Sequence, residues 1–521
     1  MLAMSCFSTC TASRSRLLAA RNLWSFADFA GCLTEIDREL PTLDPEGRIE
    51  ATVLRARVLL RLDRPGDALD ALESADCTVA GGASSLIEAL RGSALVSLGR
   101  SDSGMELLNR AATLASAAGA AAPILDEIAF LGAFGYWMLG DYDAAESAAT
   151  RLTNTARGLP AARAAALRGW ADIGQLRYSE ALASFREGLR RYTTCAERDA
   201  AFEASVIHAI ANYELNTLRE YGPPLLYSTS LPNVPGSSLD VYRALVGILD
   251  AERAALHGDE GLAFDAIIAT DAVAIAGPWR AFTLSIRGRI AHGFGHQHLA
   301  RSTALAVYAL AIDIDWQESP AESRFALLAA ARLLAEYDVT RAKHCLELFA
   351  RIKLSIDRRY FAGIHPLHCA YEADARGIVA LAAGEPSGFD DIAEAAALFQ
   401  DLGFAWRAAE AGLVLRGRGS PRHVALYETG CSFFREQFPA SMFARWIPGH
   451  RRVLAGEEAE VITPAQRDIA AMLCDGMSVR EIAHARGSAV GTVYNQLKDL
   501  YRRTGLRSIT DVIRRFNRVS A

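Results

Sequence analysis

Tight turns recur along most of this chain at a nearly constant interval, and that interval limits the folds open to it. The four clearest lie in LLRLDRPGDALDAL, LVSLGRSDSGMELL, YWMLGDYDAAESA and ADIGQLRYSEALASF, centred on Ala68, Gly104, Ala144 and Ala181 and separated by 36, 40 and 37 residues. Each joins two Ala/Leu-rich segments whose apolar residues return at helical spacing, and no sustained period-2 pattern competes. Weaker copies follow in ALHGDEGLAFDAI, GFGHQHLARSTAL, LAEYDVTRAKHCLEL, LAAGEPSGFDDIAEAAALF and VLRGRGSPRHVALY. A chain of 521 residues is too long for a single core. A repeat this short builds a continuous core only by stacking neighbour on neighbour.

The period near forty and the small residues at the turns resemble tetratricopeptide-type repeats, in a degenerate form. The resemblance covers over four hundred residues and implies an α-α solenoid with a concave groove. That groove is expected either to sense or dock a peptide, protein or small molecule, or to act as a spacer that holds or shields the tail.

The tail is of a different kind. In ITPAQRDIAAMLCDGMSVREIAHARGSAVGTVYNQLKDLYRRTGLRSITDVIRRFNR, Thr463–Gln466 and Ser478–Glu481 read as capping boxes, the first with proline at the first helical position. Helices are expected from Pro464 to Gly476, from Ser478 to Gly487, from about Val490 to Thr504 with Val493, Leu497 and Leu500 inward, and from Ser508 to about Arg518. A short helix, a glycine turn and a longer helix are the parts of a helix-turn-helix, whose second helix lies in the major groove.

Through ITP, DG, SVREIA and TVYNQLKDLYRRTGLRS this segment resembles the LuxR-type bacterial transcription regulators. The resemblance implies a four-helix DNA-binding domain whose third helix reads bases and whose fourth pairs two protomers on double-stranded DNA. By position, Thr492, Tyr494, Asn495 and Lys498 are the expected base contacts. Arg480, Gln496, Arg502, Arg503 and Arg507 are the expected backbone contacts. The chain departs from the family at Tyr494, Gln496, Ala465 and Gln466. It departs also at Ala489, which stands where a capping serine is usual; Ser488 is the alternative cap.

Charge fits this division. From Thr463 onward ten basic side chains face five acidic ones, whereas the remainder holds 45 basic and 56 acidic. Lysine occurs only at 343, 353 and 498, which together with abundant alanine points to a GC-rich bacterial coding sequence. Nine scattered cysteines without a CxxC point to a reducing cytoplasm. No signal-peptide core or membrane-length apolar run is found.

Enzymatic signatures are missing from the sequence: no phosphate-binding GxxxxGK[ST], HExxH, GxSxG or dinucleotide loop occurs. His292, His296 and His298, and His365, His368 and Cys369, lie close enough to be weighed as metal ligands, but their spacing equally suits helix ends. No metal and no cofactor is expected. The expected organisation is all-α: residues 1–446 a tetratricopeptide-like array, 447–461 a linker, and 462–521 the helix-turn-helix head. The function it implies is a non-enzymatic, sequence-specific transcription regulator, homodimeric on DNA and not bound to membrane. The alternative is a repeat scaffold or adaptor with a weak or degenerate DNA-binding tail.

Overall fold

The computed structural model describes residues 16–62, 64–74, 82–218, 231, 239–273, 275–316, 324–356, 365–448, 463–474, 477–504, 509 and 512–513. Among them every regular element is helical and no strand occurs. The helices are α1 (Leu18–Ser25), α2 (Phe29–Glu39), α3 (Pro45–Arg61), α4 (Pro65–Glu73), α5 (Gly82–Ser97), α6 (Ser101–Ala117), α7 (Ala122–Met138) and α8 (Tyr142–Thr155). They continue with α9 (Leu159–Gly174), α10 (Tyr178–Thr193), α11 (Ala200–Thr217), α12 (Leu239–His257), α13 (Glu260–Asp271), α14 (Gly277–Gly293), α15 (Gln297–Asp313) and α16 (Phe325–Leu334). The last are α17 (Val339–Ile356), α18 (His365–Ala382), α19 (Ser387–Asp401), α20 (Ala405–Val414), α21 (Pro421–Gln437), α22 (Pro464–Cys474), α23 (Val479–Ala485) and α24 (Val490–Thr504).

Each recurring turn in the sequence joins two packed helices, and the chemistry of the joint repeats. The amide after the turn donates to the carbonyl five residues back: Arg100 to Leu95, Asp141 to Tyr136, Arg177 to Asp172, Asp259 to Ala254, His296 to Ala291 and Glu385 to Ala380. This bond closes a helix C-terminus and needs a left-handed residue just before it. Gly140 fills that place at φ 75°, but Leu176 fills it at φ 61°, a conformation that costs a side chain about 1 kcal/mol. The following helix starts on an aspartate at two of these joints, where Asp141 and Asp259 accept the amides of Ala144 and Leu262 at 3.1 and 2.9 Å.

Small residues set how closely the paired helices approach. A Cβ on Gly92 would stand 2.8 Å from the Gly104 carbonyl, and one on Gly104 would stand 2.7 Å from the Gly92 carbonyl. Ala68 and Ala181 are fully buried at the matching contacts. In the third repeat the buried residue is Ala145, not Ala144, which is half-buried. Ala145 stands four residues after Asp141, as Gly104 does after Arg100 and Ala181 after Arg177, so it is the matching position, and the Tyr142 ring packs against Gly174.

The array does not remain an open spiral. Helix α20 returns to α11, where Trp406 Nε1 donates to the Leu215 carbonyl at 2.9 Å across 191 residues. One core runs from Leu215 through Ile248, Ile267 and Ile290 to Trp406 and Phe434. A second joins α9, α10 and α11 to α18 and α19, with Tyr178 against Phe404 at 5.0 Å. The helices from α11 to α21 therefore close a ring, and the first helix of each pair faces its centre. Phe443 and Ile447, 1% and 2% exposed, seal one side of the first of these cores.

The C-terminal helices have a separate small core. Ile469, Leu473, Ile482, Val493, Leu497 and Leu500 are buried together, and Val512 joins them with Ile509 and Ile513 packed alongside. The linker positions 449–462 and most of the expected fourth helix lie outside the described residues.

Candidate nucleic-acid face and the centre of the ring

Both capping boxes of the C-terminal unit are formed. Thr463 N–H donates to Gln466 Oε1 at 2.9 Å while Gln466 N–H donates to Thr463 Oγ1 at 3.3 Å. Ser478 and Glu481 make the same exchange at 2.7 and 3.3 Å, and the Ser478 hydrogen bonds hold the Glu481 carboxyl below its ordinary value. Gln466 Nε2 also donates to Asp499 at 3.0 Å, and Arg486 Nη1 to the Ala465 carbonyl at 3.0 Å. These bonds fix α22 against α24 and the α23–α24 turn against α22. The turn passes through Gly487 at φ 58°.

Helix α24 has one buried stripe, Val493, Leu497 and Leu500, and one exposed face. Thr492, Tyr494, Asn495 and Lys498 are all exposed on it, Tyr494 by 56%. Gln496 differs: it is half-buried, and its Oε1 is shielded without a hydrogen-bond partner. The side chains of Arg480, Arg502 and Arg503 and the whole of Arg507 lie outside the described residues. The start of α24 is bonded through the Ala489 carbonyl to the amides of Thr492 and Val493. Ser488 does not cap it: its Oγ is buried without a partner, because its own amide is drawn back to Ala483 at the end of α23.

A second constellation, unread in the sequence, occupies the centre of the ring. Each inner helix from α11 to α20 contributes a polar side chain: Asn216, Glu252, Arg289, Arg332, Asp374 and the pair Arg407 and Glu410. Glu410 accepts from Arg289 and Arg332, both at 2.8 Å, on one oxygen and from Arg407 at 3.4 Å on the other. Arg407 Nη2 reaches both oxygens of Glu252 at 3.2 and 3.1 Å, and its Nε reaches Asn216 at 3.2 Å. Arg289 also pairs with Glu252, and Arg332 lies 3.2 Å from Asp374.

Burial pushes the Glu410 carboxyl up, but Arg332, Arg289 and Arg407 outweigh it and hold the group at about 2. At Asp374 burial prevails over Arg332 and the pKa is raised. Burial also draws Arg289 down to about 10. The signal for this network was present in the sequence. Residues 216, 252, 289, 332, 374 and 410 follow one another at 36–43-residue steps, one per repeat, but a charge once per helix ordinarily marks a solvated face.

Above the network lies a cavity of ≈ 240 Å³. Its walls are aromatic, formed by Trp170, Trp279, Phe282, Phe325, Tyr371 and Phe404, and Asn216, Glu252, Arg289, Arg332, Asp374 and Arg407 border it. His208 stands on the same wall, and burial draws it down to about 4. Of the weighed histidines, His292 Nδ1 meets Tyr337 Oη at 2.8 Å, His296 Nε2 meets Glu260 at 3.0 Å, and His368, within α18, packs edge-on to Phe325. Among the described residues no helix is long and apolar enough to cross a membrane.

No protein-family model matches the chain, and no curated protein matches it. Among solved structures it is similar to the crystal structure of the APC/C hetero-tetramer Cut9-Hcn1, at 13% identity and a TM-score of 0.29, over 84% of this chain and 90% of that one. It is also similar to the P58(IPK) TPR domain, at 11% identity and a TM-score of 0.22, over 78% and 98%.

Proposed function

We propose that the chain is a non-enzymatic, DNA-binding transcription regulator of the LuxR type, with a tetratricopeptide-like array that takes a ligand or a protein partner. The observation that carries this reading is the exposed face of α24. Four side chains able to contact bases or phosphate, Thr492, Tyr494, Asn495 and Lys498, stand exposed on one helix within a segment of excess positive charge. Asparagine pairs with adenine edges and lysine with guanine acceptors. In this reading the fourth helix pairs two protomers on a two-half-site operator, and occupancy of the array biases that pairing.

A second reading is a repeat scaffold with a degenerate head. It is favoured by the size of the closed array and by the uncapped start of α24 at Ala489. Selection of genomic DNA fragments on the full-length protein separates the two. A regulator enriches a defined sequence, its binding weakens steeply with salt, and Lys498→Ala lowers the salt slope by about 1. Asn495→Ala relaxes specificity at one position, at a cost of about 1–3 kcal/mol. No enrichment at low salt supports the scaffold instead.

A further inference from the structure

A chain of hydrogen bonds with a fixed direction runs onto the wall of the central cavity. It starts at Arg407, whose guanidinium can only donate and whose Nε donates to Asn216 Oδ1 at 3.2 Å. The Asn216 amide is thereby turned so that its Nδ2 donates to the carbonyl and the Oδ1 of Asn212, at 2.9 and 3.0 Å. Asn212 is fixed in turn, with its oxygen toward Asn216 and its NH₂ left over. Asn212 is half-buried and lines the cavity. Its Nδ2 has no acceptor among the described residues and, unlike the Asp374 oxygens, is not sealed off. The floor supplies nothing to answer it. The Glu252 and Glu410 oxygens are taken by Arg289, Arg332 and Arg407, and those of Asp374 are shut away beside Arg332. An open donor on a buried wall gains most from an acceptor that an occupant brings.

Charge and shape restrict the occupant further. Three guanidinium groups balance three carboxylates on the floor. His208, one turn before Asn212 on the same face of α11, is kept neutral by burial. A net charge in this low-dielectric space would go uncompensated, and the aromatic walls favour a flat apolar body. We propose that the cavity binds an uncharged, planar aromatic molecule bearing a carbonyl group, whose oxygen accepts from Asn212 Nδ2 while its rings lie against those walls. The bonded chain crosses from α20 to α11, where the ring closes, so the occupant braces that closure. The proposal rests on the reading of the array as a binding element, but not on DNA binding by the tail.

The test uses the full-length protein and Prodan, an uncharged dimethylamino-naphthyl ketone whose emission shifts to the blue in apolar surroundings. Two analogues accompany it: one with a methylene in place of the carbonyl, and one with a carboxylate in place of the propionyl group. The expected result is saturable one-to-one binding of Prodan. The methylene analogue, although more apolar, binds roughly fivefold more weakly, the value of one neutral hydrogen bond. The carboxylate analogue also binds more weakly than Prodan. Asn212→Leu keeps nearly the same volume and removes the donor, while Asn216 Nδ2 retains the carbonyl of residue 212. Prodan then loses its advantage over the methylene analogue.

Absence of saturable Prodan binding, equal or tighter binding of either analogue to the wild-type protein, or a carbonyl preference that survives Asn212→Leu overturns the proposal. If Asn212→Leu loses its helical circular dichroism, Ala329→Phe takes its place. It fills the cavity from α16, and Prodan binding that survives it overturns the proposal. Probe binding is read without DNA, so a failed DNA selection leaves this result intact, and failed probe binding leaves the DNA result intact.

Discussion

Trp406 and Leu215, 191 residues apart, are joined by a 2.9 Å hydrogen bond from the indole Nε1 to the backbone carbonyl, and this contact closes the helical array into a ring. Trp406 is 1% exposed, packs on Phe443 at 5.8 Å and carries the Arg407 guanidinium over its face at 3.8 Å. Replacing it with alanine removes the body of the closure as well as the bond, at a cost of about 3–5 kcal/mol. We expect Trp406→Ala to keep its helical circular dichroism but to show a larger radius of gyration in small-angle scattering. Trp406→Phe keeps the packing, leaves the Leu215 carbonyl unpaired and costs about 1–3 kcal/mol.

The repeat was legible in the sequence, and the ring was not. Glycine, aspartate and small residues mark most of the recurring turns because the bond that closes the helix and the close helix crossing favour them, so local chemistry reveals those hairpins; at Leu176 the same bond forms without a glycine. Closure depends on Trp406 meeting Leu215, and nothing near either residue signals the other. The network at 252, 289, 332, 374 and 410 was hidden for another reason. One charge per helix is the pattern of a wetted surface, and only the ring turns that surface inward. In the tail, the capping boxes and the apolar stripe were readable because they are local. Ser488 was not, because its role depends on whether its amide serves the end of α23 or the start of α24.

Glu410 is the residue on which three guanidinium groups converge. Glu410→Gln leaves one acceptor oxygen where two are used and sets three cations against two carboxylates. Breaking a buried pair in this way costs about 3–5 kcal/mol. The group also carries an acid dependence. Its pKa is about 2 in the folded chain, below its unfolded value of about 4.3. Its stabilisation is therefore complete above the unfolded value and is lost as pH falls from there through 2. Urea titrations at pH 7 and pH 3 should show a smaller acid loss in Glu410→Gln than in the wild-type protein.

His208 acts at milder pH. Burial on the cavity wall, beside the Tyr242 ring at 6.1 Å, lowers its pKa to about 4, against about 6.5 unfolded. A depressed pKa means that stability is full above 6.5 and falls as pH drops toward 4, because the unfolded chain binds the proton first. Between pH 7 and pH 5 the loss is about 2 kcal/mol. His208→Asn should flatten this part of the pH profile in urea titrations. A profile unchanged by the substitution would show that His208 is not the group responsible.

The start of α24 offers a gain of stability. Its first amides are bonded only by the Ala489 carbonyl, and the Ser488 hydroxyl is buried and idle. A serine at 489 places an Oγ where it can accept the amide of Thr492, the bond that Ser478 already supplies to Glu481 at the start of α23. Such a cap contributes about 0.5–2 kcal/mol. We expect Ala489→Ser to slow hydrogen exchange of the α24 amides in the full-length protein while leaving exchange in the ring unchanged. If the head binds DNA through α24, the same substitution should tighten that binding without altering the preferred sequence, since residue 489 precedes the face formed by Thr492, Tyr494, Asn495 and Lys498. A change in the selected sequence would mean that the first turn of α24 itself takes part in reading.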